Sequence, residues 1–405
     1  MNIFIVGGGI VGLNVALALQ GRGHSVTVYE RSEGGSVAAS YGNAGHIATE
    51  QVEPLASRAM IRSAFSRLFM NGGALSLPLA GVSRWLPFSL RLIAAARPDT
   101  FLRGKAALSR LVNDALPAWR RRLDDIGAAD LLREDGHFVV WETPATAAAA
   151  LKAWRDTDTG SATWREVGAE ELAALKGLTT VPVAGAIRFD GTGQVADPRR
   201  LLDTLAATFT ARGGQIVHEA VTALRIEGGR PVVGTASADA AVVCAGVWSK
   251  PLMEALGYIV PIVAERGYHI QSAVPAWPQG LPPVVFEDRS MIVTRFEGGV
   301  RAASFVEFNT TDAPPDARKW QRLERHVRDL GLPFGDTAKA ARWMGARPTL
   351  PDYLPAIGQA RGLPVYYAFG HQHLGLTLAA VTGERVGAMI DDGVVPAEFD
   401  LSRFR

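Results

Sequence analysis

Apolar and polar positions follow two different rhythms along this chain. Residues 1–12 read MNIFIVGGGIVG, an apolar run of strand length that closes on glycines. An apolar helical stretch, 13–19, follows, then the turn Gly21-Arg22-Gly23-His24 and a second strand, 25–29, with Glu30 at its end. The same order recurs later. A strand over 185–189 leads to Asp197-Pro198, an N-cap with proline at the first helical position, which predicts a helix to about residue 211. Gly213-Gly214 ends it, and 215–218 is the next strand. Residues 240–246 read as a buried strand closing on a glycine turn. Residues 365–369, the turn 370–375 and an apolar stretch to 390 again read strand, turn, helix.

The remaining segments behave differently. Ile61, Phe65, Leu68 and Phe69 fall at i, i+4, i+7 and i+8, the stripe of an amphipathic helix. Trp85-Leu86-Pro87-Phe88 leads into a second apolar-basic stretch, 90–97. Residues 137–141 read as a strand, 145–154 and 320–330 as helices. Short alternating runs at 268–271, 291–295 and 300–305 predict antiparallel sheet. Residues 1–50, 185–258 and 340–405 therefore form a parallel α/β unit. Residues 51–184 and 259–339 form a unit of helices and antiparallel strands inserted into it. The predicted class is α/β: a Rossmann-like dinucleotide-binding domain with an inserted α+β substrate domain on an antiparallel sheet.

The first turn carries specific chemistry. Gly7-x-Gly9-x-x-Gly12 sits between strand and helix, and Glu30 ends the second strand. That is the dinucleotide fingerprint: Gly7 for the tight turn, Gly9 for close approach of a pyrophosphate, Gly12 for helix–strand packing. The helix N-terminus offers free N–H groups and positive potential to phosphate. Glu30 suits the hydroxyls of an adenosine ribose and repels a 2′-phosphate, which argues against NADP. The small-residue loop 32–40 and Tyr41-Gly42-Asn43-Ala44-Gly45-His46 can run close to a ligand.

Composition narrows the class. The 405 residues are 48% hydrophobic and 20% charged, as in a globular enzyme, and a net charge of +2 gives no reason to expect nucleic acid. Cys244 is the single cysteine, so there is no internal disulfide and no CxxC pair; this suits a reducing, cytoplasmic compartment. No stretch reaches the roughly 18–20 apolar residues that span a bilayer. Charge is unevenly placed, however. Residues 57–122 hold twelve arginines and lysines against Asp99 and Asp114, a net +10, so the rest of the chain carries −8. Interleaved with Phe65, Leu68, Phe69, Trp85, Leu86 and Phe88, these charges make the segment a candidate contact for the inner face of the cytoplasmic membrane or an acidic electron-acceptor subunit. A substrate-domain face packing its arginine stems on its own core has the same composition.

Taken together, the motifs resemble the D-amino-acid oxidase superfamily of flavoproteins, in particular the bacterial D-amino-acid dehydrogenase small-subunit branch. The likeness rests on GGGIVG with Glu30, the loop from Ser40 to Gly45, Asp197-Pro198, the run Val243-Cys-Ala-Gly-Val-Trp-Ser249, Arg266-Gly-Tyr268, Gly345-Ala-Arg-Pro348 with Pro351-Asp352, and Gly370-His371 with Leu374-Gly375. It implies FAD, a substrate sheet capping the flavin, and oxidation of a C–N bond beside a carboxylate by hydride transfer from Cα to flavin N5. It places the cofactor on Gly7, Gly9, Ile10, Val11, Gly12, Glu30, Arg31, Ser40, Asn43, Ala44, Gly45, His46, Val221, Ala245, Gly246, Trp248, Gly370, His371, Leu374, Gly375, Leu376 and Thr377. Relatives with covalent flavin carry a cysteine shortly after the substrate arginine; Thr349 stands there, so the FAD is expected to be non-covalent.

The resemblance puts the substrate-carboxylate arginine at Arg347, which Gly345 and Pro348 are expected to hold in a rigid turn. A guanidinium grips a carboxylate through two parallel bonds and so fixes its orientation. Arg266 and Tyr268 are expected to assist the carboxylate or cover the flavin. The glycine turn before the last helix would aim a helix N-terminus at the anionic reduced flavin. His46 and His373 are candidate pocket residues, a neutral imidazole being suited to take the substrate's ammonium proton. No metal is expected, since His371-x-His373 has no third ligand. Cys244 reads as a packed strand residue. His46 where D-alanine-type dehydrogenases carry glutamine, and the extra His373, point to a hydroxylated or cyclic substrate such as 4-hydroxy-D-proline or D-proline. The nearest alternative is an oxygen-using oxidase of sarcosine or glycine. A non-catalytic flavoprotein subunit is the alternative of another class, and Arg347 argues against it.

Overall fold

Two sheets carry the chain. A computed structural model describes residues 1–32, 38–273 and 277–404; part of the small-residue loop 32–40 lies outside the described residues. The first strand, Asn2–Val6, is buried at four of its five positions and sits inside a six-stranded sheet. Its neighbours are Ser25–Tyr29 on one side and Ala240–Val243 on the other, both parallel to it. Gln215–Val217 and Val365–Phe369 extend the parallel set, and Ala356–Gln359 closes one edge antiparallel. These strands read as near-continuous apolar runs because helices cover the sheet. The helix Ile10–Gly21 is apolar nearly all round and packs between Pro198–Ala211 and Gly375–Asp392. Asp197 caps the former, its carboxylate accepting the N–H groups of Arg199 and Arg200.

The second sheet has nine strands. In order, its main path runs Ala341–Thr349, Val263–Ser272, Gly299–Asn309, Met291–Phe296, Val284–Phe286, His137–Trp141, Gly185–Asp190 and Thr163–Glu166. Pairing is antiparallel except between Val284–Phe286 and His137–Trp141, and where Leu75–Ser76 joins Gly299–Asn309. Two segments differ from the expected partition: Gly185–Asp190 and Ala341–Thr349 were expected in the parallel unit and pair here instead. Their alternation matches a sheet with one covered face, and hydrogen bonding to Val263–Ser272 decides the matter for the second.

The basic segment also differs from expectation. The stripe from Ile61 to Phe69 does not form one helix; the helix Arg58–Ser63 stops short and Phe65 is 76% exposed. A longer helix follows at Val82–Ala95, then a 28-residue helix, Pro98–Asp125, whose buried face includes Ala107, Leu108, Leu111, Ala115 and Trp119. Trp119 Nε1 donates to the Leu376 carbonyl at 2.9 Å, tying this helix to the start of the last one. No helix of the described residues is long and apolar enough to cross a membrane.

Candidate active site

Space dictates the first glycine turn. Gly7 has φ +107°, and a Cβ there would sit 2.6 Å from the Cys244 carbonyl oxygen. A Cβ on Gly12 would fall 1.9 Å from the Gly7 carbonyl oxygen, so no side chain fits where helix meets strand. Gly9 is the N-cap of Ile10–Gly21, without a side-chain cap of its own, and Ser40 Oγ accepts the Ile10 N–H at 3.1 Å. Glu30 Oε2 accepts the Gly8 N–H at 2.7 Å, which holds the carboxylate beside the turn. The Arg31 guanidinium lies 3.7 Å over the Trp248 ring.

One cavity of about 1030 Å³ runs from this turn to the large sheet. That is at the upper end of small-molecule sites, roughly 300–1,000 Å³. Two helix N-termini open on it, through Gly9, Ile10 and Val11 at one and Gly375 and Leu376 at the other. Neither N-cap residue bonds its own helix through a side chain; Ser40 Oγ takes the Ile10 N–H, and the remaining first-turn N–H groups and the positive potential favour anionic groups of a ligand. Glu30, Arg31, Ser40, Asn43, Ala44, His46, Val221, Ala245, Gly246, Trp248 and His371 also reach its wall. A Cβ on Gly246 would meet no protein atom within 4 Å, so backbone faces open space there. Five expected cofactor residues stand behind the wall instead: Gly12, Gly45, Gly370, Leu374 and Thr377. Thr377 Oγ1 is occupied by the Ala48 N–H at 3.0 Å, Leu374 belongs to the core, and Gly45, at φ +76°, backs onto the Phe296 ring.

At the other end, Arg347 projects from a strand, not from a turn. Ala341–Thr349 is the edge strand, where Pro348 costs no ladder bond, and Arg347 stands opposite Glu265. Gly267 makes room: a Cβ there would lie 2.4 Å from Arg347 Nη2. Nη1 donates to Glu265 Oε1 at 3.1 Å and to the Phe305 carbonyl at 3.2 Å. Among the described residues Nη2 and Nε have no hydrogen-bond partner, and the side chain is 27% exposed. Glu265 is buried and also accepts from Thr349 Oγ1 at 3.0 Å and Tyr353 Oη at 3.4 Å. The guanidinium is thus anchored on one edge and open on the other, the form of a carboxylate clamp.

Tyr268 does not offer its hydroxyl to the cavity. It donates to Glu307 Oε2 at 2.6 Å and accepts from Arg266 Nη2 at 2.9 Å. Burial and Glu307 push the phenol up to about 12. Arg266 is fully buried and bonds Glu307 at 3.0 Å, and buried Lys319 reaches the same carboxylate at 3.1 Å. Both residues therefore serve a charged network on the far side of the strand. Glu265 and Gly267, one position along in each case, face the site.

Histidines cluster between the two ends. His373 Nε2 meets Gln51 Oε1 at 2.5 Å, and burial pulls its pKa down to about 4. His371 Nε2 meets Thr382 Oγ1 at 3.0 Å and burial takes it to about 3. His46, on the short strand His46–Ile47, contacts the buried Glu50 at 3.2 Å through Nε2. His137, not foreseen, packs edge-on to His46 with ring centroids 4.5 Å apart. Glu50, Gln51, His137, Glu265 and Tyr353 are among the cavity-wall residues that sequence reasoning missed. Glu265 had a signal in strand alternation; Glu50 and His137 had none. Cys244 is buried and burial raises its thiol pKa strongly, as suits a packed strand residue.

Comparison with known proteins agrees with this geometry. Residues 2–389 match the family of FAD dependent oxidoreductases typified by D-amino-acid oxidase. A D-amino-acid oxidase of Bradyrhizobium diazoefficiens is 29% identical, covering 100% of this chain and 99% of its own length. D-amino acid dehydrogenase 2 of Pseudomonas aeruginosa is 30% identical, covering 96% and 94%. In fold, the chain is similar to the L-proline dehydrogenase of P. horikoshii, with a TM-score of 0.72 at 18% identity, covering 100% and 97%. The residues present fit FAD: a glycine turn in which neither Gly7 nor Gly12 has room for a Cβ, Glu30 beside it, and two helix N-termini opening on one cavity. The chain belongs to the FAD dependent oxidoreductase family, within the D-amino-acid oxidase superfamily of flavoproteins.

Proposed function

We propose that this flavoprotein is a dehydrogenase of small D-amino or cyclic imino acids, with D-proline or 4-hydroxy-D-proline as candidate substrate. The carrying observation is Arg347, anchored through Nη1 by buried Glu265 with its other edge open to the cavity. An α-carboxylate docked on that edge fixes the plane of the substrate and presents Cα toward the cavity interior. The ammonium must lose a proton before the C–N bond can gain double-bond character, and His46, a cavity-wall imidazole, is the base in this reading. The reaction removes the Cα hydrogen as hydride, for which FAD, when bound, supplies the acceptor. The names of the relatives support the D configuration. The FAD is non-covalent in this reading, since Cys244 is the only cysteine, and it should leave the polypeptide on acid or heat denaturation.

Anaerobic mixing of the yellow protein with D- and L-alanine, D- and L-proline, 4-hydroxy-D-proline, glycine and sarcosine tests the function by flavin bleaching. D-Proline or its 4-hydroxy form should bleach faster than D-alanine, because His46 stands where D-alanine-type dehydrogenases carry glutamine and His373 can bond the hydroxyl of the 4-hydroxy form. Equal rates for D-alanine and D-proline remove that refinement, and no bleaching by any of them removes the function. Fast reoxidation in air favours the oxidase of sarcosine or glycine type.

We further propose that the face formed by residues 58–103 meets an anionic membrane surface from the cytoplasmic side, where the electron acceptor lies. Lys105, Arg110, Arg120, Arg121 and Arg122 pair with acids, which removes them from the basic patch. Arg58, Arg62, Arg67, Arg84, Arg91, Arg97 and Arg103 are exposed and form no ion pair among the described residues. Beside them Val82, Leu86, Leu90 and Ile93 are exposed along one stripe of the helix Val82–Ala95, with Phe65, Met70 and Leu79 close in sequence. Apolar side chains flanked by unpaired arginines are the composition of an interfacial surface. Sedimentation with anionic vesicles should show binding that weakens with salt and disappears when Arg62, Arg67, Arg84 and Arg91 are neutralised. No pelleting at any salt refutes it.

A further inference from the structure

Part of the cavity wall is held from behind by the nine-stranded sheet. Gly42, Asn43 and Ala44 line the cavity, and neither His269 nor Arg301 does. Yet His269 Nδ1 donates to the Gly42 carbonyl at 3.1 Å, and Arg301 Nη1 donates to the Asn43 carbonyl. Gly42 also packs against the Trp343 ring: a Cβ there would come within 2.3 Å of it, and that ring stacks on His269 with centroids 5.0 Å apart. Two consecutive carbonyls of the loop are therefore turned to the sheet. In a trans peptide the N–H points opposite to the C=O. The Asn43–Ala44 peptide thus turns the Ala44 N–H away from Arg301, and among the described residues that N–H makes no hydrogen bond.

The grip belongs to one face of one strand. Along Val263–Ser272 alternate side chains share a face. Glu265, which anchors Arg347, lies on the same face as His269 and Gln271, while Arg266 and Tyr268 lie on the other. Gln271 Oε1 accepts from Arg301 Nε at 2.9 Å and from Nη2 at 2.7 Å, which fixes the guanidinium plane and leaves Nη1 for the loop. The brace of the substrate clamp, Glu265, and the first brace of the loop, His269, are four residues apart, about 13 Å along the strand.

Arg301 also brings a charge that no acid neutralises. It is 6% exposed, and its partners are a carbonyl, an amide oxygen and the Phe296 ring at 4.9 Å; among the described residues no carboxylate is within ion-pair distance. Asp197 acts on it from further off, but that carboxylate already accepts the N–H groups of Arg199, Arg200 and Gly298. Burial pulls the guanidinium down to about 10, which leaves it charged at neutral pH. A buried cation without a counter-charge is costly, and its field favours an anion nearby. We propose that Arg301 is a positioning residue for FAD, setting the 42–44 backbone so that the Ala44 N–H, with the positive charge behind it, meets an acceptor group of the anionic dinucleotide. The hydrogen bond from Arg301 to the Asn43 carbonyl polarises the same peptide and strengthens its N–H as a donor. This inference rests on FAD as the cofactor and on no particular substrate.

The test uses the holoenzyme with Arg301→Gln, Arg301→Lys and, as control, Tyr268→Phe, each checked for melting temperature. FAD release on dilution is followed by the fluorescence of the freed flavin and gives the dissociation constant. Arg301→Gln keeps a donor but not the charge, and should bind FAD roughly ten- to a hundredfold more weakly, the range for losing a hydrogen bond from a charged group. Arg301→Lys, with the charge kept but the planar fork lost, should fall between and serves if Arg301→Gln does not fold. Tyr268→Phe loses bonds on the opposite face of the neighbouring strand, and should hold FAD as the wild type does even where its melting temperature falls. A lower melting temperature with unchanged FAD affinity in both Arg301 variants marks a merely structural brace and overturns the proposal. So does an equal loss of FAD affinity in Tyr268→Phe, since release would then follow stability alone. Arg301→Lys as weak as Arg301→Gln overturns the role of the charge.

Discussion

Replacing Arg347 by alanine removes two things at once, and the structure lets them be separated. The first is the open edge of the guanidinium, where Nη2 and Nε await a carboxylate. Losing a charged two-bond contact costs about 3–5 kcal/mol when the partner charge is left buried. At about 1.4 kcal/mol per decade, kcat/KM should fall by roughly two to four decades. The second loss is the anchor. Glu265 keeps only Thr349 Oγ1 at 3.0 Å and Tyr353 Oη at 3.4 Å, so a buried carboxylate is left without its cation. That should lower stability by about 1–3 kcal/mol. Arg347→Ala/Glu265→Gln removes the orphaned charge; it should regain stability while staying slow. Arg347→Lys should also be slow, because an ammonium is a point charge and cannot fix the carboxylate plane. Anaerobic flavin bleaching by D-proline reads the first effect, and a urea midpoint reads the second. FAD content should be unchanged in all three. A fall in kcat/KM under about threefold in Arg347→Ala would refute the clamp.

Tyr268→Phe should leave flavin reduction within about threefold of wild type but cost roughly 1–3 kcal/mol of stability, because Glu307, Arg266 and the Asp316 N–H each lose a bond. Collapse of the rate in a stable Tyr268→Phe would return the hydroxyl to the substrate site. Stability should also fall as pH drops below about 6.5. His137 and His371 are held neutral by burial down to about 3 and His373 to about 4, so across that window the unfolded chain binds more protons than the folded one. Each contributes a slope approaching 1.4 kcal/mol per pH unit, roughly 4 for the three near pH 5. The Glu50 contribution, present above its unfolded value, is lost only as pH falls from about 4.3 through about 2. Urea midpoints from pH 8 to 5 check this, and a flat profile would contradict it.

The cofactor half of the molecule was legible because its signals are local. Glycines at Gly7, Gly9 and Gly12 are demanded by contacts within one turn, and Glu30 follows one strand later. The substrate half depends on which distant strands meet. Arg347 was visible, yet Gly345 and Pro348 read as a turn. In the fold, Pro348 is tolerated on an edge strand, and Gly345 lies under the Trp343 ring. In Glu265-Arg266-Gly267-Tyr268 the alternation separates two faces, but nothing local says which face the helix Ala317–Asp329 and its Lys319 will cover. Tyr268 therefore looked like a site residue while Glu265 was passed over. Glu50 and His137 belong to segments that meet only in the closed fold, so no spacing could have announced the cluster. The basic segment misled in another way: its charges were countable, but their partners Glu134, Glu384 and Glu398 lie elsewhere in the chain.

The central claim is that Arg347 holds a carboxylate beside the C–N bond being oxidised. D-Proline and pyrrolidine share the ring and the amine and differ in that one group. Mixed anaerobically with the holoenzyme at equal concentration, D-proline should bleach the flavin and pyrrolidine should do so at least roughly two decades more slowly. In Arg347→Ala the gap between them should close. Bleaching by pyrrolidine as fast as by D-proline in the wild type would contradict the account.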